Sequence, residues 1–188
     1  MRGSRPLTKA EVDLLTTHLR HGRNGVRNAA FLTVGLMTGF RVSELLSVDS
    51  QDVVVCGQVV DALTVRRRNM KGKREGRTVR LNDKAKAAIQ AWVEERGEWE
   101  GPLFCTTSGR RLGRKAAWKF LTQATKRLGM TGQLGTHCLR KTFADRMHEL
   151  LGGDLKQLQG ALGHKWITST SQYLSFKEDK INDALEAL

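Results

Sequence analysis

Apolar positions recur at helical spacing along most of this chain, and one stretch breaks that rhythm with β-branched residues. Near the N-terminus, "TKAE" (8–11) reads as a capping box ahead of Val12, Leu14, Leu15 and Leu19. An amphipathic helix is expected there, introduced by Pro6. "NGVRNAAFLTVGLMTG" (24–39) is apolar enough for a buried helix with Gly39 as its C-cap, and "VSELLSV" (42–48) predicts a short helix directly after it. The period then changes. "DVVVCGQVVDALTV" (52–65), broken at Cys56-Gly57, predicts a hairpin, and "RTVRL" (77–81) predicts a third strand beyond a basic connection. Helical spacing resumes in "NDKAKAAIQAWVEER" (82–96), and "GPLFCTTSGRRLG" (101–113) predicts an extended piece with a Ser-Gly turn. Four further helical segments follow: "RKAAWKFLTQATKRLGM", "HCLRKTFADRMHELLG", "DLKQLQGALGH" and one running from "ITSTSQYL" toward the end. The expected fold class is α+β, mainly α with a small three-stranded antiparallel β-sheet.

With 188 residues, 39% hydrophobic and 27% charged, the chain has the makings of one domain with a proper core. It contains no run of about 20 apolar residues and no signal-peptide pattern, so a membrane role is not expected and a cytoplasmic setting is. Cys56, Cys105 and Cys138 are far apart and odd in number, which predicts reduced, structural thiols.

Charge changes the picture more. Lys and Arg number 32 against 19 acidic residues, a net charge of +13. Such an excess favours a polyanionic partner, because neutralising phosphates releases counterions. It is also uneven. Residues 64–80 hold eight basic side chains and one acid, and residues 101–144 hold nine and none. After Tyr173 the sign reverses, with Glu178, Asp179, Asp183 and Glu186 against Lys177 and Lys180, so the tail is not expected on a nucleic-acid face.

Three short groupings carry candidate chemistry. In "TGFRVSEL", Arg41 and Glu44 are three apart and share a helix face; alone they read as a surface ion pair. In "THCLRKTFA", His137 and Arg140 project together, while Leu139, Phe143 and Met147 form a separate, core-directed stripe. In "LGHKWITSTSQYL", Gly163 ends a helix so that His164 occupies a turn. Thr168, Ser169, Thr170 and Ser171 are then expected to cap the start of the next helix, which would present Tyr173 near its beginning. Tyr173 is the only tyrosine of the chain, and singly it reads as a packed residue. Taken together, the groupings suit attack on a phosphodiester. Paired guanidiniums neutralise the developing charge, a phenol needs cations or a base to become a nucleophile, and the departing oxygen needs a proton.

The ordered set of Arg41 in "TGFRVSELL", a lysine in a β-hairpin, His137 and Arg140 in "HCLRKTFA", His164 in "LGH" and Tyr173 nine residues later resembles the tyrosine recombinase (phage integrase) family. The likeness runs from "RPLTKAEVDLL" through "QYLSF". It implies that Arg41 and Arg140 clamp the scissile phosphate, His164 adds a hydrogen bond, His137 assists as base, Glu44 buttresses the site and Tyr173 attacks. The products would be a 3′-phosphotyrosyl link and a free 5′-hydroxyl, with no metal, cofactor or nucleotide. The family's general-acid lysine corresponds to Lys71 or Lys73 in "KGKREGRTVRL". Arg66, Arg67, Arg68, Arg74, Arg110, Arg111, Arg114, Lys115 and Lys141 are the expected DNA contacts; Lys141 stands where many relatives carry His.

The implied organisation is a leader or linker remnant (1–6), a catalytic domain (7–176) and a C-terminal tail (177–188) that docks on a neighbouring protomer. The family's N-terminal helical DNA-clamping domain is not expected in this chain, which would be either an excised fragment or one of the short recombinases, comparable in length to the fimbrial-switch inversion enzymes. Implied partners are double-stranded DNA, further copies of the chain in dimers and tetramers on DNA, and accessory DNA-bending or directionality proteins. The competing readings are a tyrosine-based topoisomerase and a non-catalytic basic DNA-binding module.

Overall fold

The computed structural model of the protein describes residues 4–66, 76–97, 100–171, 173–174 and 186. It divides into two compact units, Met1–Phe143 and Ala144–Leu188.

The first unit is built around a buried helix. Helix α1 (Lys9–Arg20) starts on the predicted capping box: Thr8 Oγ1 accepts from the Glu11 N–H (3.2 Å), and Glu11 Oε2 accepts from the Thr8 N–H (2.9 Å). Helix α2 (Gly25–Thr38) buries most of its surface and packs against α1 and α4 (Asp83–Arg96). Phe31 lies at its centre, edge-on to Phe104 (5.2 Å between centroids) and to Phe120 (5.5 Å). The short α3 (Val42–Leu46) follows, with Leu45 and Leu46 buried. The basic α5 (Arg114–Arg127) buries Ala117, Leu121 and Ala124.

Among the described residues the strands form two ladders where one three-stranded sheet was expected. Strands β1 (Val54–Val55) and β2 (Gln58–Val59) pair across the Cys56-Gly57 turn, and β3 (Ala62–Val65) pairs antiparallel with β4 (Arg77–Arg80). Both turn residues have positive φ (50° and 78°), as a tight two-residue hairpin demands. The division falls at Val60-Asp61. Val60 N–H bonds back to Val53 O (2.9 Å), while Asp61 O already accepts from Leu81 N–H (2.8 Å). In the β3–β4 register Leu63 faces Val79 and Val65 faces Arg77, with Leu63, Val65 and Arg77 buried.

Helix α6 (His137–Leu150) approaches α2 closely because α2 offers glycines there. A Cβ on Gly35 would stand 2.8 Å from Leu139 Cδ1, and one on Gly39 would stand 2.3 Å from the Phe143 ring. Gly39 also has φ +58° and caps α2, as predicted. Gly39→Ala therefore combines left-handed strain with overpacking. It should cost about 2–4 kcal/mol, read as a lower urea midpoint at unchanged slope.

In the second unit, α7 (Leu155–Leu162) is capped by the Asp154 side chain, buries Leu158 and Leu162, and ends at Gly163 in the left-handed region (φ 61°). Helix α8 (Ile167–Ser171) departs from expectation. Thr168 to Ser171 form the helix itself, and Tyr173 follows its end, with its N–H on Thr170 O (3.0 Å). The cause is local: Ser169 N–H bonds to Trp166 O (3.1 Å), the Ser171 hydroxyl bonds to Thr168 O (3.0 Å), and the Thr170 hydroxyl is turned inward to His164.

Candidate active site

The first unit gathers cations around one buried carboxylate. Arg41 is the N-cap of α3, and its extended backbone lets its own N–H reach Glu44 Oε2 (2.8 Å) while its guanidinium reaches Oε1 (2.7 Å). The pair is not a surface one: the side chains are 35% and 2% exposed. Burial alone would raise the Glu44 pKa. The backbone N–H and guanidinium of Arg41, with the charge of Arg140, outweigh it and hold the carboxyl below its ordinary range. Glu44 thus stays anionic and fixes the Arg41 fork.

Arg140, three residues into α6, is 1% exposed, and its Nη1 donates to the Gly39 carbonyl at the end of α2. Arg77, absent from the sequence-level candidates, joins the same group. Its Nη2 donates to Thr38 O (2.8 Å) and its Nη1 to Gly39 O (3.4 Å), with the guanidinium 4.8 Å from the Phe40 ring centre. Burial and the charge of Arg140 lower its pKa to about 9, which leaves it cationic at neutral pH. It was hidden because an arginine in "RTVRL" reads as one more surface cation; only the register against Val65 turns it inward. His137 opens α6 with an exposed edge. Partial desolvation first, then the charges of Arg140, Arg41 and Lys141, lower its pKa below the ordinary 6.5. It is therefore neutral at physiological pH and able to accept a proton.

The second unit presents His164 and Tyr173 together. Their ring centres are 5.1 Å apart at a 38° tilt. His164 is buried, and its Nδ1 lies 3.0 Å from the Thr170 hydroxyl. Gln159 pins the turn by donating to His164 O (3.1 Å) and Lys165 O (3.0 Å), while the His164 N–H returns to Gln159 O (3.0 Å). Gln159 carried no signal in the sequence and Thr170 was expected only as a helix cap; the role of each depends on the Gly163 turn.

The expected DNA contacts separate into groups. Arg110 is exposed and closes the 106–110 turn, its carbonyl accepting from the Thr106 N–H (2.7 Å). Arg114 and Lys115 are exposed at the start of α5. Arg111 is engaged by protein, donating to Leu46 O (2.6 Å) and Asp49 Oδ1 (2.5 Å). With Arg114, Ser43 and Ser47 it lines a groove beside α3. Arg66 pairs with Asp52, and Lys141 is half-buried on α6. Lys71, Lys73, Arg67, Arg68 and Arg74 lie outside the described residues, as does nearly all of the 177–188 tail. Burial pushes the Cys138 thiol up to about 12, so it has no chemistry to offer here. Among the described residues no helix is long and apolar enough to cross a membrane.

The phage integrase family matches residues 5–179 of this chain. The chain belongs to that family. Among its relatives, the tyrosine recombinase XerD of Oceanobacillus iheyensis is 32% identical over 188 residues, covering 96% of this chain and 61% of the relative. The type 1 fimbriae regulatory protein FimE of Escherichia coli K12 is 29% identical over 178 residues, covering 92% of this chain and 86% of FimE. The crystal structure of XerH site-specific recombinase bound to palindromic difH substrate shares the fold, with a TM-score of 0.77 at 22% identity over 96% of this chain and 51% of that one. This integrase-family chain thus spans about three-fifths of the XerD relative, and the mainly helical fold with small antiparallel sheets is that of the family's catalytic domains.

Proposed function

We propose that this chain is the catalytic part of a site-specific DNA recombinase that cuts and rejoins double-stranded DNA through Tyr173. The observation that carries the reading is the convergence of Arg41, His137 and Arg140 around the buried Glu44, in a family member whose single tyrosine lies against His164. The like charges of Arg41, Arg77 and Arg140, held by one carboxylate and by carbonyls, form a preorganised anion site beside the neutral His137. In the proposed step the Tyr173 oxygen bonds to the scissile phosphorus as the P–O5′ bond breaks. The phenolic proton passes to His137, Arg41 and Arg140 neutralise the phosphorane, and His164 donates to a non-bridging oxygen. Lys71 or Lys73 protonates the departing O5′. Attack by a 5′-hydroxyl of a partner strand reverses the step, so the bond energy is kept and no nucleotide is consumed. Strand exchange then requires further copies of the chain on DNA.

The test is a covalent adduct. Duplexes retained by the protein from a randomised pool are resynthesised with a nick next to the cleavage position, so that the short 5′-hydroxyl fragment diffuses away and the intermediate accumulates. A protein–DNA species stable in detergent supports the reading, and its absence on every selected duplex would sink it. Relaxation of supercoiled plasmid by the lone chain without site preference would favour a topoisomerase.

The lowered pKa of His137 sets a pH dependence. A base whose folded pKa is depressed keeps its neutral form to lower pH, so the acid limb of single-turnover cleavage should be centred below pH 6.5. His137→Gln should lower the plateau and remove that acid limb. A pH–rate profile of both chains on the nicked duplex checks it; an acid limb centred above 6.5 would contradict it.

A further inference from the structure

Helix α6 is held from three directions within the first unit. Successive side chains stand 100° apart, so Leu139 and Phe143 share one face, Arg140 occupies another, and Cys138 and Thr142 lie opposite Arg140. Leu139 and Phe143 meet Gly35 and Gly39, and Arg140 meets the Gly39 carbonyl. The third hold comes from residues 4–7, of which the sequence presents 4–6 as part of a leader. Leu7 N–H donates to the Thr142 hydroxyl (2.8 Å), which itself donates to Cys138 O (2.7 Å). Upstream, Arg5 N–H (3.2 Å) and the Ser4 hydroxyl (3.0 Å) both donate to Gln133 O, and Gly135 N–H returns to Ser4 Oγ (3.4 Å). The segment thus takes up the loop that leads into His137.

Arg5 locks this strap. Its Nε donates to Thr131 O (2.8 Å), and its two terminal nitrogens reach Glu11 Oε2 (2.7 Å) and Oε1 (2.5 Å), the carboxylate that caps α1. Its side chain lies 3.0 Å from where a Cβ on Gly132 would stand, and Gly132 has φ +85°. The hydrogen bonds from Arg5 hold the Glu11 pKa at about 2, so the pair persists across the working range. One guanidinium therefore joins the start of α1, the 131–135 loop and the strap.

We propose that Arg5 is a positioning residue for the cleavage reaction: by tying the 131–135 loop to α1 it sets where α6 begins, and hence where His137 stands relative to Arg41 and Arg140. The proposal rests on the recombinase reading, and its test has one arm that does not. Arg5→Ala, Arg5→Lys and Thr142→Val are compared with the parent chain in two measurements: the His137 imidazole titration by NMR without DNA, and single-turnover cleavage of the nicked duplex at saturating protein. In Arg5→Ala the His137 pKa should move toward the ordinary 6.5, and the cleavage rate should fall by about 10- to 100-fold at unchanged DNA affinity. Arg5→Lys, which keeps a cation beside Glu11, should recover part of the rate. Thr142→Val removes the Leu7 anchor and should shift both readouts in the same direction. Unchanged His137 titration and rate in folded Arg5→Ala overturn the proposal. Should that variant not fold, an unchanged titration in both of the others overturns it. Absence of an adduct in the parent chain overturns the recombinase reading instead and leaves the titration result standing.

Discussion

Tyr173→Phe is expected to abolish the covalent DNA adduct while leaving DNA affinity and the fold intact. Phenylalanine keeps the ring that lies 5.1 Å from His164 and removes only the oxygen that would become the leaving and attacking atom. No second phenol exists to substitute, since the chain has one tyrosine. The rate of adduct formation should fall by at least about four orders of magnitude, as when a nucleophile is deleted from a site that keeps its other parts. Stability should change by no more than about 1.5 kcal/mol, the net worth of a hydroxyl's hydrogen bond. The measurement is the detergent-stable adduct on the nicked duplex, paired with a binding isotherm and a urea melt. An adduct that survives the substitution would give the chemistry to another residue, and a parallel collapse of affinity would make Tyr173 a packing residue after all.

Much of this architecture was written in local signals. The Thr8–Glu11 box, Gly39 after α2 and Gly163 after α7 are short-range devices, and each stands where its residue types demand. His137 and Arg140 could be picked out because an imidazole and a guanidinium three residues apart are chemically conspicuous, and Arg41 because it takes its place in the ordered set that resembles the family. What stayed hidden depends on contacts far apart in the chain. Arg77 turns inward through strand register, and Arg5 looked like part of a leader until its partners Thr131 and Glu11 were in view. Arg41 and Glu44 read as a surface pair because nothing nearby in the sequence says that Leu45 and Leu46 draw Glu44 into the interior. Tyr173 was expected near a helix start since Ser and Thr are capping residues; here their hydroxyls bond backward and inward, and the helix ends before the tyrosine.

Arg140→Lys should separate catalysis from binding, and the reason lies in how Arg140 is anchored. At 1% exposure its guanidinium is held on the Gly39 carbonyl, with Arg77 crowding the same oxygen. A guanidinium can spend one edge on that carbonyl and present the other to a phosphate; an ammonium on a flexible stem cannot do both in one plane. The lysine variant keeps the charge, so the Coulombic pull on DNA and the support of Glu44 largely remain. It loses the bidentate geometry that matters as charge builds on the phosphorane, and cleavage should slow by about 10²- to 10³-fold. DNA affinity should shift by no more than about fivefold, because one phosphate contact among many carries a small share of counterion release. Lysine is the better probe than alanine, which would leave the Gly39 carbonyl to Arg77 alone and open a cavity under α6. Single-turnover rate and dissociation constant, taken on the same nicked duplex at one salt concentration, decide the matter. Equal losses in both would reduce Arg140 to a strut joining α6 to α2, and the anion site would then have to rest on Arg41.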